Sequence, residues 1–258
     1  MKTFTQTTLT ILFFIVLIAG CSKDSSSPSN DPTSIDGGGI TGTGGSLARF
    51  SIVNDNLYIL TQNTLFTYSI ADKTHPKYQT SVFVATGAET LFSLDNNLLI
   101  GTQNGMLIYT LDNPSKPRYI STYAHVRSCD PVVADDTYAY VTLRGGTNCF
   151  TTDNELQIIR IDNPQELKVV GRQLLFNPHG LAVYGDHVLV CDGTAGIKVV
   201  DVSDRNQPKV LETYPIPFAY DVILNYPSAV VIGEGKLYQY DLSAVSYTHL
   251  TLPTIYSV

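Results

Sequence analysis

The sequence predicts an all-β fold of repeated four-stranded antiparallel units, and three observations carry that prediction. Apolar runs of four to six residues recur along the chain, and none has the length or period of a helix. Five of these runs align: Leu65–Ile70, Leu107–Leu111, Leu156–Ile161, Ile197–Val202 and Leu237–Leu242, with last residues spaced 41, 50, 41 and 40 apart. The 258 residues are 43% hydrophobic and 15% charged, with 16 Tyr and no Trp. That composition suits half-buried pleated surfaces and excludes a disordered chain.

Turn chemistry divides each repeat. An early polar turn stands between apolar stretches at Asn54-Asp55-Asn56, Asp95-Asn96-Asn97, Asp135-Asp136 and Gly185-Asp186. A second turn follows at Gln62-Asn63, Gln103-Asn104-Gly105, Asp192-Gly193 and Gly233-Glu234-Gly235. A third opens on Asp or Asn and closes on Pro: Asp72–Pro76, Asn113–Pro117 and Asp204–Pro208; Asn163–Leu167 keeps the frame without the final Pro. Residues 181–212 show the unit best, with strands expected at Leu181–Tyr184, Val188–Cys191, Ile197–Val202 and Lys209–Glu212. Four short strands about every 41 residues is the pattern of a propeller blade, and the even spacing sets it apart from a sandwich. The expected fold class is all-β: a β-propeller of four-stranded antiparallel blades, cut short at about five repeats.

Ile197-Lys-Val-Val-Asp-Val-Ser-Asp204, followed by Pro208, resembles the LVIVD repeat of bacterial surface proteins. The resemblance extends in more degenerate copies over 47–244 and implies propeller blades; it implies little about function. The third repeat is nine residues longer than its neighbours, and the excess falls near Arg144–Thr152, a loop of the second hairpin. Insertions of this kind often mark a contact face.

The N-terminus reads as an address. Lys2 precedes an apolar run, Leu9–Ala19, of about eleven residues, shorter than the roughly 20 that span a bilayer and suited to a signal peptide. Leu17-Ile18-Ala19-Gly20-Cys21 resembles the lipobox of bacterial lipoproteins, which implies signal cleavage after residue 20 and acylation of Cys21. Ser22 by the same resemblance favours the outer membrane, and Lys23-Asp24 loosely resembles surface-export signals of Gram-negative lipoproteins. Residues 22–46 are rich in Ser, Gly, Asp, Asn, Pro and Thr and are expected to be a flexible tether with an end-to-end distance on the order of 25–30 Å. The expected organisation is thus signal peptide 1–20, lipidated Cys21 and tether 21–46, and propeller repeats 47–244.

Residues 245–254 read Val-Ser-Tyr-Thr-His-Leu-Thr-Leu-Pro-Thr, a translation of a transposon-based sequencing adapter. The stretch 245–258 is therefore expected to be artefact, with the gene cut after Ala244. After Ser243 neither a Pro turn nor an outer strand is legible.

Net charge is −7 without a basic run, which argues against nucleic acid as a partner. Cys129 opens the third repeat and Cys149 lies in its inserted loop; the two are expected either to pair, pinning the insertion to its blade, or to stay free thiols. Cys191 ends an apolar strand and is expected to pack as a small hydrophobe. The first strand of a blade is innermost, so acids and a His at its entrance (Glu89, Asp130, His179 and Asp221) face the channel mouth. They form either a solvated polar rim, the favoured reading, or a cation or polar-ligand site like that of propeller lactonases. Asp192-Gly193 lacks the alternating acids of a calcium loop. No nucleophile elbow, phosphate loop or zinc spacing is present, so no catalytic residue, metal or cofactor is expected. The expected function is a lipid-anchored, non-enzymatic binding or scaffold protein at the outer membrane or cell surface of a Gram-negative bacterium. Its partner is an envelope protein or glycan. The alternative is a propeller hydrolase or lactonase working at the channel mouth.

Overall fold

The computed structural model describes residues 45–124, 131–146, 154–242 and 254–256. They form five four-stranded antiparallel sheets arranged as a β-propeller, and no helix occurs among them. Blade 1 holds β1 (Phe50–Val53), β2 (Asn56–Leu60), β3 (Thr64–Ser69) and β4 (Lys77–Phe83). Blade 2 holds β5 (Ala88–Leu94), β6 (Asn97–Thr102), β7 (Gly105–Thr110) and β8 (Arg118–Ala124). Blade 3 holds β9 (Val132–Ala134), β10 (Tyr138–Leu143), β11 (Glu155–Arg160) and β12 (Lys168–Leu174). Blade 4 holds β13 (Leu181–Tyr184), β14 (His187–Cys191), β15 (Ile197–Asp201) and β16 (Lys209–Tyr214). Blade 5 holds β17 (Asp221–Asn225), β18 (Ser228–Gly233), β19 (Lys236–Asp241) and β20 (Thr254–Tyr256).

Each blade is a simple meander, so its register is set by its turns. The first turn places a residue at positive φ in blades 1, 2 and 4: Asn54 (53°), Asp95 (47°) and Gly185 (55°). Asn, Asp and Gly tolerate that conformation best. The third turn is one hydrogen-bonded device used four times. The Oδ1 atoms of Asp72, Asn113, Asn163 and Asp204 accept from the backbone N–H two residues on, at 3.0, 3.1, 3.1 and 2.9 Å. Their carbonyls accept from the N–H three residues on. Blade 3 keeps both bonds with Leu167 in place of Pro, so the Asx residue makes the turn and the proline only stiffens it. A register shift follows at the same place in the outer pairs of blades 1 to 4, beside Thr67, Ile108, Ile158 and Val199.

Blades stack face to face, so middle strands are buried on both sides and outer strands on one side at most. Every residue of β7 is buried, whereas β4 alternates exposed and half-buried residues. Buried apolar clusters fill the junctions of blades 1 and 2, 2 and 3, 3 and 4, and 4 and 5. Cys191 packs in the last of these, as its apolar setting in the sequence leads one to expect. Two buried tyrosines stand at equivalent places in blades 1 and 3, the first bonding the next blade and the second an acid of its own blade. Tyr58 donates to the Pro114 carbonyl at 2.8 Å, and Tyr140 donates to Asp135 at 2.7 Å. Asp135 also faces Arg205 of blade 4, which bonds Asp186 at 2.5 Å and lies over the Tyr138 ring at 5.5 Å. Burial raises the Tyr58 phenol to about 12.

Two expectations are corrected. Residues 45 and 46, placed by composition in the tether, belong to the domain: Ser46 is 1% exposed. A small polar residue reads as linker in sequence yet packs well where its hydroxyl finds partners. An outer strand does follow Ser243, since Thr254–Tyr256 of the adapter-like stretch pairs with β19. The free edge of β19 presents unpaired backbone groups that any extended segment can satisfy. Cys21, Cys129, Asp130 and Cys149 lie outside the described residues.

Candidate functional site

The upper end of the ring carries the loops joining strands two and three of each blade and those joining one blade to the next. His179 lies there, on the loop from β12 to β13. Asp192 fixes that loop. It is wholly buried, and its carboxylate accepts from the N–H groups of Phe176 (2.9 and 3.1 Å) and Asn177 (2.8 Å). This is the role of the Asp192-Gly193 pair, a backbone clasp. Gly193, at φ 58°, leaves no room for a Cβ, which would stand 2.7 Å from the Asn177 amide nitrogen.

Three further bonds seat His179. Its N–H donates to the Cys191 carbonyl, its carbonyl accepts from the Thr142 hydroxyl at 2.7 Å, and the Gly180 N–H donates to the Tyr220 carbonyl. His179 is 6% exposed, and its imidazole touches two rings at the entrance of blade 5, Phe218 (centroids 5.4 Å apart) and Tyr220 (5.2 Å). Those rings are 4.7 Å apart. Arg144 of blade 3 reaches across, its Nη1 2.6 Å from Nδ1 and 3.1 Å from Nε2. A guanidinium only donates, so the ring must accept and be neutral. Burial first, then the Arg144 charge, lower the His179 pKa to about 4. Three blades thus meet at one polar-aromatic cluster. Phe218 holds φ at 46°, a conformation rare for a bulky residue.

Asp221 opens β17 and is 8% exposed. Its carboxylate accepts from the Ser46 hydroxyl (3.1 Å) and from the Val222 N–H (2.9 Å). Gly180 and Gly45 press against it, and a Cβ on either would come within 2.0 and 2.3 Å of its oxygens. Burial raises its pKa. Asp221 is a packed structural acid, with no open side to a ligand in this arrangement. Glu89 stays within blade 2, where it accepts from Gln103 at 3.0 Å. The structure therefore brings His179 and Asp221 together on adjacent blades and keeps Glu89 in a bond of its own blade. No group of three or more His, Cys, Asp or Glu suited to a metal occurs among the described residues. A further acid, Glu155, is buried between blades 2 and 3, paired with Arg172 and accepting from Gln157 at 2.6 Å.

Sequence reasoning missed Arg144, Phe218 and Tyr220. Arg144 had a signal, as the first residue of the loop that sets the third repeat apart. The two rings had none, because Pro215–Tyr220 reads as an ordinary connection.

Residues 178–215 match the LVIVD repeat. The chain is a β-propeller repeat protein. No curated protein sequence matches it. Its fold is similar to that of a functionally unknown protein from Desulfotomaculum acetoxidans, at 12% identity over 87% of this chain and 72% of that one, with a TM-score of 0.64. A protein from Lactobacillus plantarum is similar at 12% identity over 79% and 68%, TM-score 0.62. The Pan2 WD40 domain of Neurospora crassa is similar at 9% identity over 83% and 67%, TM-score 0.60. At such identities the likeness concerns the fold alone.

Proposed function

We propose that this propeller is a lipid-anchored protein of the cell envelope that binds a partner, a protein or a glycan, at the upper rim of blades 3 to 5. One observation carries the binding reading: an aromatic surface stands on that rim around a pre-set polar centre. Tyr220 is 45% exposed and Phe176 62% exposed, while His179 and Arg144 sit between blades and hold the rings in place. Rigid rings on a fixed scaffold give contact area at low entropic cost, and exposed aromatics recur as binding anchors. The anchoring reading rests on Leu17–Cys21 and the polar stretch after it. Outer-membrane or surface placement follows from the same residues.

Anchoring is tested by Cys21→Ala. In cells the wild type should partition into detergent and the variant into the aqueous phase; equal detergent partitioning would refute acylation at this cysteine. Binding is tested by Tyr220→Ser, which should weaken capture of envelope glycan or envelope protein about tenfold while costing about 1–2 kcal/mol of stability, so that the protein remains folded in the assay. Unchanged capture of both materials would refute the rim.

A further inference from the structure

Four of the five blade junctions are filled by apolar clusters, and the inner strands pack closely in the order β1, β5, β9, β13, β17. The junction of blade 5 with blade 1 is built differently among the described residues. We propose that residues 45–48 are a strap that fastens the ring across its upper end, joining blades 4 and 5 to blades 1 and 2.

Inner strands turn one edge to the channel, and that edge carries backbone groups the sheet cannot pair. The strap satisfies several of them. The Ser46 hydroxyl accepts from the Leu181 N–H of β13 at 2.7 Å and donates to Asp221 of β17 at 3.1 Å. Two residues on, the Ala48 carbonyl accepts from the Leu91 N–H of β5 at 2.8 Å, and the Arg49 carbonyl accepts from Leu60 at the end of β2. The strap and the residue after it therefore touch four blades: Ser46 meets blades 4 and 5, Ala48 meets blade 2 and Arg49 meets blade 1. The Ala48 N–H closes back on the Gly45 carbonyl at 2.9 Å, which holds the strap in a turn. Its first position admits only glycine, because a Cβ on Gly45 would lie 2.3 Å from Asp221 Oδ2 and 3.2 Å from Ile223. Asp221 is pressed from its other side by Gly180, the residue after His179, so the strap and the rim share a wall. A load on the chain preceding residue 45 reaches the ring first through these bonds.

Hydrogen exchange on the full chain tests the strap, comparing wild type with Ser46→Ala and Gly45→Ala. Removing the hydroxyl orphans the Leu181 N–H; adding the methyl forces the strap off Asp221. In both variants the amides of Leu181 and Leu91 should exchange at least about tenfold faster, while those of Ile100 and Ile158 in the middle strands change by less than about twofold. Unchanged protection of Leu181 and Leu91 in both variants would overturn the strap. So would an equal acceleration across all blades, since that would make Ser46 one more contributor to global stability.

Discussion

Gly171→Ala is expected to lower the stability of the propeller by about 3 kcal/mol, with a fall in the thermal midpoint of roughly 6–12 °C. Gly171 lies in β12, the outer strand of blade 3, where the third turn of blade 4 crosses it. A Cβ there would stand 2.0 Å from the Arg205 carbonyl oxygen and 3.1 Å from Pro208 Cδ. Neither atom is the free end of a flexible side chain. The turn must move, and with it the Arg205 guanidinium that bonds Asp186 and faces Asp135. Gly185→Ala supplies the contrast. Gly185 has φ 55° and nothing within 4 Å of its missing Cβ, so only the backbone penalty remains, about 1 kcal/mol. Urea unfolding of the three proteins measures both values. Equal midpoints for Gly171→Ala and Gly185→Ala would show that blades 3 and 4 do not meet at this glycine.

Acid should loosen the rim through His179. Its folded pKa is about 4 against 6.5 for the free side chain, so between those values the unfolded chain binds the extra proton. Stability from this group is complete above pH 6.5 and falls as pH drops towards 4, by on the order of 2–3 kcal/mol. Asp221 acts in the opposite sense, because its raised pKa favours the folded state as the carboxyl protonates. The net curve of the wild type is therefore shallower than the His179 contribution alone. Comparing wild type with His179→Gln isolates that contribution. The variant loses ring packing at every pH, yet its deficit should shrink as pH falls from 7 to 4.5. A deficit that is constant with pH would mean that the imidazole titrates in the folded protein as it does in the unfolded chain.

What could be read in the sequence follows from what repeats. All five third strands sit within two residues of their apolar runs, because four runs end on a buried residue (Leu111, Ile161, Val202 and Leu242) and four lead into an Asx turn. The LVIVD-like segment of blade 4 gives all four of its strands, with β13 bounded as expected at Leu181 and Tyr184. The rim was less legible because it is where the repeat stops repeating. The Tyr220 N–H donates to the Ile232 carbonyl as the His179 N–H donates to the Cys191 carbonyl, so Tyr220 is the counterpart of His179 and Asp221 that of Gly180, one place on. An acid and a glycine at one repeat position look like an error of alignment until Gly180 is seen to pack directly against the Asp221 carboxylate. Ser46 itself gave no sign, since a serine after Gly44-Gly45 carries the signature of a linker. The aromatic contact of His179 with Phe218 and Tyr220 joins residues some forty positions apart in different blades, which no local pattern encodes.

The most direct measurement of the binding rim is site-specific photo-cross-linking in intact cells that produce the protein. A photoreactive phenylalanine replaces Tyr220 on the rim in one strain and Tyr78, an exposed ring of the outer strand β4, in another. The rim position should give a discrete adduct, a protein band or a glycan-bearing species, that disappears when Phe218 is also changed to Ser. The outer-strand position should give none. No adduct at Tyr220, or the same adducts at both positions, would contradict a binding surface on blades 3 to 5.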